Sequence, residues 1–430
     1  MVLAVAAAVL ARLAYGAMGT PIAWPDTLFY MEAGQQLLAG QLVSSHLVMP
    51  LYPLFLATVG WDAAPAAQFL LSAATLPLVY LLAFEIFERR SIARWAAALM
   101  VVEPLSVFYA NQRMSETLFI FLFCAALLAL YRCRPLLSSV LLVASILVRP
   151  SLDLLAPALM ALFCLREARG RRAFLLMGKR VALYGLVYVV LMSPWWWHNW
   201  QKYGRFVHLN LGDGIVLRME NNPVFAELGF WKQLDFVLNE FADETDPVAR
   251  NRKRRDAALA FIREDPLRYA VLSLRRLGRF WSPVLDQESV DTAGGFVKRA
   301  RAPFFIAECV IYLGVLGYAF QRQECKWRRI APLLLVIGYF TAVHTAMNAV
   351  VRYRAPLMPL VVIIAAAGWQ RATQHQRRPH EAAQRAGPSR ASTSAEPCPH
   401  ETDMQFPQAP AGKVDPFRST RARRPPEHQG

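Results

Sequence analysis

Residues 21–40 read PIAWPDTLFYMEAGQQLLAG. The stretch holds two acids, Asp26 and Glu32, between segments that read as membrane. A carboxylate beside hydrocarbon is costly, and such groups face a cavity, pair with a cation or bind something. The flanks decide the fold class. The apolar run Val2 to Met18 comes before, and LPLVYLLAFEIF, SETLFIFLFCAALLALY and ALYGLVYVVLMSPWWW come after. Such runs suit a hydrocarbon layer of roughly 30 Å, which takes about 20 apolar residues per helix. Of 430 residues, 55% are hydrophobic and 18% charged, and the mean hydropathy is +0.27. A soluble globule of this length carries more charge. No alternating strand pattern recurs at barrel spacing, so the chain reads as an all-α polytopic membrane protein. The opening run has no basic segment before it and further spans follow, so it reads as a retained first span, not a signal peptide.

Apolar runs predict about ten spans, at 2–18, 64–86, 92–110, 115–131, 136–148, 151–165, 180–197, 302–320, 330–347 and 355–370. The fifth and sixth are short, as broken or strongly tilted helices are. LYPLFLATVG is too short to span and reads as re-entrant or interfacial. Among the short loops, ERRSIAR, YRCRP, LREARGRRAFLLMGKR and QRQECKWRR are richer in Lys and Arg than the alternating NQRMSE, VRPS and MNAVVRYR. The positive-inside rule makes the first set cytoplasmic, with both termini. The chain then divides into a transmembrane module 1–197 with a first outer loop 19–63, an outer region 198–301, C-terminal transmembrane helices 302–370 and a basic cytoplasmic tail 371–430. The first outer loop is expected to hold a helix from Thr27 to Leu38. RKRRDAALAFIREDPLRYAVLSLRRLGRFW has apolar residues at helical spacing beside many basics, as in helices on an anionic membrane surface. The tail lacks apolar periodicity and is expected to be disordered.

The net charge of +16 would suggest a nucleic-acid partner in a soluble protein. Here loop topology and the tail account for most of it, and no nucleic acid is expected. None of the six cysteines falls in a loop placed outside, so no disulfide framework is implied. There is no GxxxxGKS, HExxH or CxxC, which removes nucleotide-driven transport and zinc-protease chemistry.

By depth, Asp26, Arg113, Glu116, Arg149, His198, Asn199, Arg352 and Arg354 fall at the outer ends of spans, with His344 a turn or more deeper. Four arginines there, 113, 149, 352 and 354, run against the charge rule. The arginine fork suits phosphate oxygens, and a nearby carboxylate is a candidate base. Together they suggest a site for a phosphate-bearing substrate with its tail in lipid. Plainer readings stand beside this one. Asp26 caps the helix starting at Thr27. Glu116 balances Arg113. Arg149 pairs with Asp153 at i and i+4. PWWWHNW is an interfacial aromatic belt, and VRYRAP is a pair of snorkelling arginines.

These features resemble integral-membrane glycosyltransferases of the GT-C fold, especially bacterial family 39, relatives of protein mannosyltransferases and aminoarabinose transferases. WPDTLFYMEAGQQLLAG followed by MPLYPLFLA is similar to their first outer loop, and NQRMSETLFIFL to their fourth span. SPWWWHNWQKYGRFVHLN is similar to their Pro-Trp motif, LGDGIVLRMENNP to the glycine–asparagine pattern after it, and FIREDPLRYAVLSLRRLGRFW to their outer helices. VRYRAPLMPLVVIIAAAG resembles their last span, and the match omits the tail. One departure is His198, where the family commonly has an arginine; an imidazole holds phosphate less firmly.

The resemblance implies a GT-C-like bundle in a bacterial inner membrane. It implies sugar transfer from a polyprenyl-phosphate donor to a lipid, glycan or protein acceptor on the outer face, with inversion. Asp26 would be the base or would position the acceptor. Glu116 would hold the acceptor or a divalent metal, no metal spacing being evident. Arg352 and Arg354, then Arg113 and His344, would bind the lipid phosphate, with Tyr52, His198, Asn199 and Asn221 as substrate-loop residues. Competing readings are a transporter or flippase of lipid-linked glycans and a polymerase of them. A transporter predicts charge strung across depths or paired broken helices in related halves. The charge gathers on one face and no internal repeat is visible.

Overall fold

The computed structural model describes residues 2–17, 25–167, 170–224, 230–284, 287–320 and 327–385, and among these there are helices and no strands. The chain runs through α1 (Val2–Ala17), α2 (Pro25–Leu38), α3 (Leu51–Val59), α4 (Ala64–Phe87), α5 (Arg90–Val102), α6 (Pro104–Ala110), α7 (Glu116–Tyr131), α8 (Pro135–Val148), α9 (Leu155–Glu167) and α10 (Gly170–Tyr203). A region outside the bundle follows, with α11 (Asp213–Met219), α12 (Phe230–Asn239), α13 (Pro247–Glu264) and α14 (Pro266–Phe280). The chain then re-enters the bundle with α15 (Gln287–Phe320), α16 (Trp327–Ala346), a 3-10 turn Val351–Leu357 and α17 (Met358–Arg385).

Among the described residues five helices are long and apolar enough to cross a membrane: Ala64–Phe87, Gly170–Tyr203, Arg301–Phe320, Trp327–Ala346 and Val351–Ala372. A sixth crossing forms if α5 and α6, bent by 51°, are one span. The expectation of ten is corrected by length. The 16 residues of α7 rise about 24 Å, short of the hydrocarbon layer. α8 and α9, at 14 and 13 residues, are shorter still. The bend lies where 92–110 read as one run. Pro104 cannot donate into the ladder, and the buried Glu103 carboxylate accepts from Leu105 N at 2.9 Å and Ser106 N at 2.7 Å instead. The break is thus a built cap, and it leaves a carboxylate inside the bundle.

The last crossing is the bundle's axis. Its most apolar window is 89% buried, whereas that of α10 is 11% buried and shows Leu186, Val189, Val190 and Trp197 to its surroundings. Apolar side chains facing outward from a helix of this length are what lipid contact requires. α17 is seated by close approach to α15: a Cβ at Gly368 would strike the Gly314 carbonyl, so glycine alone lets the backbones meet. The helix also continues past 370 to Arg385, where the disordered tail was expected to begin; residues 386–430 lie outside those described.

The extramembrane region is tied to the bundle through polar groups. Asn199, at the end of α10, donates to Val207 O and Leu209 O, both at 3.0 Å. Arg276 of α14 donates to Asn221 Oδ1 at 2.8 Å and to Ala346 O at 3.2 Å, and it pairs with Glu220 at 3.0 Å. Burial pushes Glu220 up, against the pull of Arg279 and Arg276. These contacts hold α14 against the end of α16, on the side where Asp26 and Arg352 meet.

Candidate functional site

α2 begins at Pro25, so Asp26 lies in its first turn. Its position is set by Gly34 further along: a Cβ there would come within 2.5 Å of Pro53 O, so the glycine lets α2 lie against α3. The first turns of α2 then reach α7 and the 3-10 turn, with Tyr30 beside Ser115 and Asp26 beside Arg352. Asp26 Oδ2 accepts from Arg352 Nη1 at 2.9 Å. The same guanidinium places Nε 3.4 Å from Glu116 Oε1. Glu116, the first residue of α7, is fully buried, and Arg149 Nη1 pairs with the same Oε1. Two arginines thus converge on one carboxylate oxygen, while the buried Glu116 Oε2 has no partner. Four sequence-distant residues, Asp26, Glu116, Arg149 and Arg352, form one alternating charge cluster.

Aromatic and hydroxyl groups frame it. Tyr30, one turn after Asp26, has its hydroxyl 3.3 Å from Ser115 Oγ, and Arg149 Nη1 is 3.4 Å from that same oxygen. Burial and the Asp26 carboxylate push the Tyr30 phenol up to about 12, so it keeps its proton and stays a donor. Arg352 and Arg149 lie 5.3 Å and 5.7 Å from the Tyr353 ring centroid. His344 stacks on Tyr353's ring at 4.6 Å and 16°. The cluster is half open: Asp26 is 35% exposed and Arg352 17%, against 0% for Glu116.

The other expected site residues are placed elsewhere. Arg354 is turned into the core, where it donates to Phe280 O at 2.9 Å and Ser282 O at 2.7 Å and pairs with the buried Glu308 at 2.9 Å. This corrects its expected place beside Arg352: residues two apart in a 3-10 turn leave it on different sides. Arg113 donates to Trp61 O at 3.1 Å and lies over that ring, so Glu116 does not balance it. His344 sits behind Tyr353, stacked between it and Phe280. Tyr52 donates to Gln68 Oε1 at 2.8 Å and packs edge-on against Tyr30 at 4.8 Å, supporting the cluster from below. His198 accepts from Val43 N at 3.3 Å and stacks on Trp195, pinning the first loop to α10. Asn199 and Asn221 hold backbone carbonyls, the latter through Leu217 O at 2.8 Å.

Arg149 is the residue the sequence reading under-used. Its expected i,i+4 partner Asp153 instead accepts from Tyr188 and lies 3.0 Å from His208 Nε2. Residues 150–152 form a 3-10 turn between the two, so helical spacing does not apply. The signal available was its place among the arginines that break the charge rule.

A divalent metal was an expected option at Glu116. Among the described residues no three His, Cys, Asp or Glu side chains gather in a ligand set. Asp26 and Glu116 are bridged by Arg352, and Arg149 adds a second positive charge on Glu116. Those guanidiniums stand where a resident cation would, so the donor set does not fit one.

No family model and no curated protein matches the chain. Solved structures do. The archaeal oligosaccharyltransferase AglB from Archaeoglobus fulgidus, in complex with an inhibitory peptide and a dolichol-phosphate, superposes with a TM-score of 0.52 at 13% identity, covering 91% of this chain and 52% of that one. An Archaeoglobus fulgidus oligosaccharyltransferase in the apo form gives 0.53 at 12% identity with the same coverage. ArnT from Cupriavidus metallidurans bound to undecaprenyl phosphate gives 0.42 at 12% identity, over 85% of this chain and 77% of that one. This chain spans about half the length of the oligosaccharyltransferase. The likeness establishes the fold: a GT-C-like multi-pass membrane protein.

Proposed function

We propose that the protein is a membrane glycosyltransferase of the GT-C type that moves a sugar from a polyprenyl-phosphate donor to a lipid, glycan or protein acceptor. The observation that carries this reading is the Asp26–Arg352–Glu116–Arg149 cluster at the extramembrane end of the bundle. The family-39 resemblance of the first loop and the Pro-Trp motif favours a hexosyl or pentosyl donor. It also favours a bacterial inner membrane, with the site on the outer face and both termini inside.

The chemistry needs a base, a cation for the leaving group, and exclusion of water. An acceptor hydroxyl or amine attacks the anomeric carbon from the face opposite the phosphate. Asp26 Oδ2 is taken by Arg352, which leaves Oδ1 to receive the acceptor proton or orient it. The C–O bond to phosphate breaks, its electron pair goes to the phosphate oxygen, and polyprenyl phosphate leaves with inversion at the sugar. Arg352 and Arg149 stand close enough together to take the added charge on that phosphate. Glu116 holds both guanidiniums in place beforehand, so little reorganisation accompanies bond breaking. Tyr30 keeps a proton available for a sugar or phosphate oxygen.

The deciding experiment is transfer from a panel of radiolabelled polyprenyl-phosphate sugars in membranes, wild type against Asp26→Asn. Transfer by wild type that Asp26→Asn abolishes, with insertion and donor binding retained, supports the reading. Normal transfer by the variant removes Asp26 from the chemistry. No transfer by wild type from any donor shifts weight to lipid flipping.

A further inference from the structure

The basic stretch that becomes α13 and α14 divides in two, because the two helices turn opposite kinds of face outward. α13 exposes Arg252, Lys253, Arg255 and Asp256, an ordinary water-facing surface. α14 exposes Leu267, Val271, Leu274 and Leu277, with Leu267 76% and Leu274 68% exposed. At about 100° per residue these four fall within about 120° of one another, so they form one stripe. A helix on a water-soluble domain turns its apolar stripe inward. α14 turns its own outward and buries Arg276 instead, beside Leu272 and Phe280. Single exposed apolar side chains are ordinary, but a contiguous row of them marks a surface that something covers.

The seat of α14 says what covers it. Its inner face is clipped to the end of a membrane-crossing helix. Tyr269 Oη donates to Ala346 O at 3.1 Å and Arg279 Nε to Ala349 O at 2.8 Å, while the Phe280 ring stacks on His344 at 5.8 Å. That crossing is α16, which ends at Ala346. Next to Phe280, Trp281 meets Tyr312 of the Arg301–Phe320 crossing at 6.3 Å. The same crossing turns Ile306, Leu313 and Leu316 outward, so the hydrocarbon that bathes it reaches α14 as well. One edge of the stripe is basic. Arg268 and Arg275, two turns apart, border it on the same side; both are exposed, and among the described residues neither makes an ion pair. α14 itself carries no acid, and Asp265 before it is spent as the cap on Arg268 N at 2.8 Å. An apolar stripe with an arginine border is the pattern of a helix lying in the boundary of a leaflet, where the guanidinium fork meets phosphate oxygens.

We propose that α14 lies in the boundary layer of a phospholipid leaflet, with its leucine stripe among acyl chains and Arg268 and Arg275 on the phosphates of anionic headgroups. α13 stays in water. The inference is independent of sugar transfer, and its test measures no turnover.

The test uses the full chain in lipid vesicles. Nitroxide labels are placed on Val271→Cys, Leu274→Cys and, as the water-side control, Arg252→Cys, with the six native cysteines replaced by alanine. Oxygen relaxes the labels at 271 and 274 more than a water-soluble nickel chelate does, and the order reverses at 252. Adding phosphatidylglycerol to phosphatidylcholine vesicles deepens the label at 274, and Arg268→Gln with Arg275→Gln cancels that gain. Nickel access at 271 and 274 equal to that at 252 puts the stripe in water and overturns the proposal. Access to neither reagent means that protein covers the stripe, which overturns it too. A depth that ignores phosphatidylglycerol, or a gain that survives the double variant, overturns the role of the headgroups. If the cysteine-free chain misfolds, Leu274→benzoylphenylalanine in the otherwise native chain asks the same question. Illumination then adds the mass of one phospholipid to the intact chain, and the absence of that adduct overturns the proposal.

Discussion

Arg352 and Arg354 leave one short turn and meet opposite fates. Arg354 enters a pair in which both partners are wholly buried, with further bonds to Phe280 O and Ser282 O. Arg352 meets Asp26 at a partly exposed position and leans on a carboxylate it shares with Arg149. A sealed pair has no room to exchange its partner; truncating one side leaves a stranded charge. A half-open pair can trade a carboxylate for a phosphate at small cost, because water and neighbours already screen it. Identical residue types two positions apart therefore sit in different surroundings, and only three-dimensional placement separates a sealed pair from a half-open one.

That contrast can be broken by mutation. The largest expected effect is on turnover: Asp26→Asn lowers sugar transfer by roughly 10²–10⁴-fold, the range of a lost general base, while thermal stability holds. Radiolabel transfer and a detergent melt on the same preparation check both halves. Next is Arg354→Met, which strands Glu308 and costs about 3–5 kcal/mol of stability. The double variant Arg354→Met with Glu308→Leu is expected to recover most of that loss in a thermal melt. If the single variant is as stable as wild type, the sealed pair is not structural. Arg352→Lys keeps the charge but not the fork, and the KM for donor rises by about tenfold with stability unchanged. The smallest effect concerns pH. His46 has a folded pKa depressed from 6.5 to about 4, so it contributes stability that is present above about 6.5 and is lost as pH falls towards 4. Melting the wild type and His46→Gln at pH 7 and pH 5 reads it: the wild type loses more on acidification.

The fold class was legible because lipid imposes a long apolar run, and hydropathy sees it directly. The helix from Thr27 to Leu38 was legible almost to its ends. The number of crossings was less so, since α7, α8 and α9 are apolar enough to join a bundle yet too short to span it. The kink at Glu103 and Pro104 was visible only as a charge and a proline within one run. In the candidate site, Asp26, Glu116 and Arg352 come together as depth sorting suggested. Arg354 and Arg149 exchanged places because depth along a span says nothing about direction around it. Arg354 shares the depth of Arg352 but points inward, and the i,i+4 spacing of Arg149 and Asp153 spans a break in helical phase. His198, Asn199 and Asn221 carry the substrate-loop motif, yet His198 and Asn199 bond loop backbone, and Asn221 joins Leu217 O of α11 to the Arg276 side chain.

The bare crossing of α15 and α17 at Gly314 and Gly368 gives the molecule a fulcrum. From Gly368 the final helix runs back to the turn that carries Arg352, sixteen residues or about 24 Å away along the axis. A methyl group at the pivot, as in Gly368→Ala, forces the two backbones apart. A tilt of a few degrees there becomes a shift of about an ångström at the far end of such an arm, comparable to the tolerance of a hydrogen bond. Asp26 is carried by a different helix, so it does not follow. The aim of the arginine is thus set deep in the bundle, far from any atom it would touch.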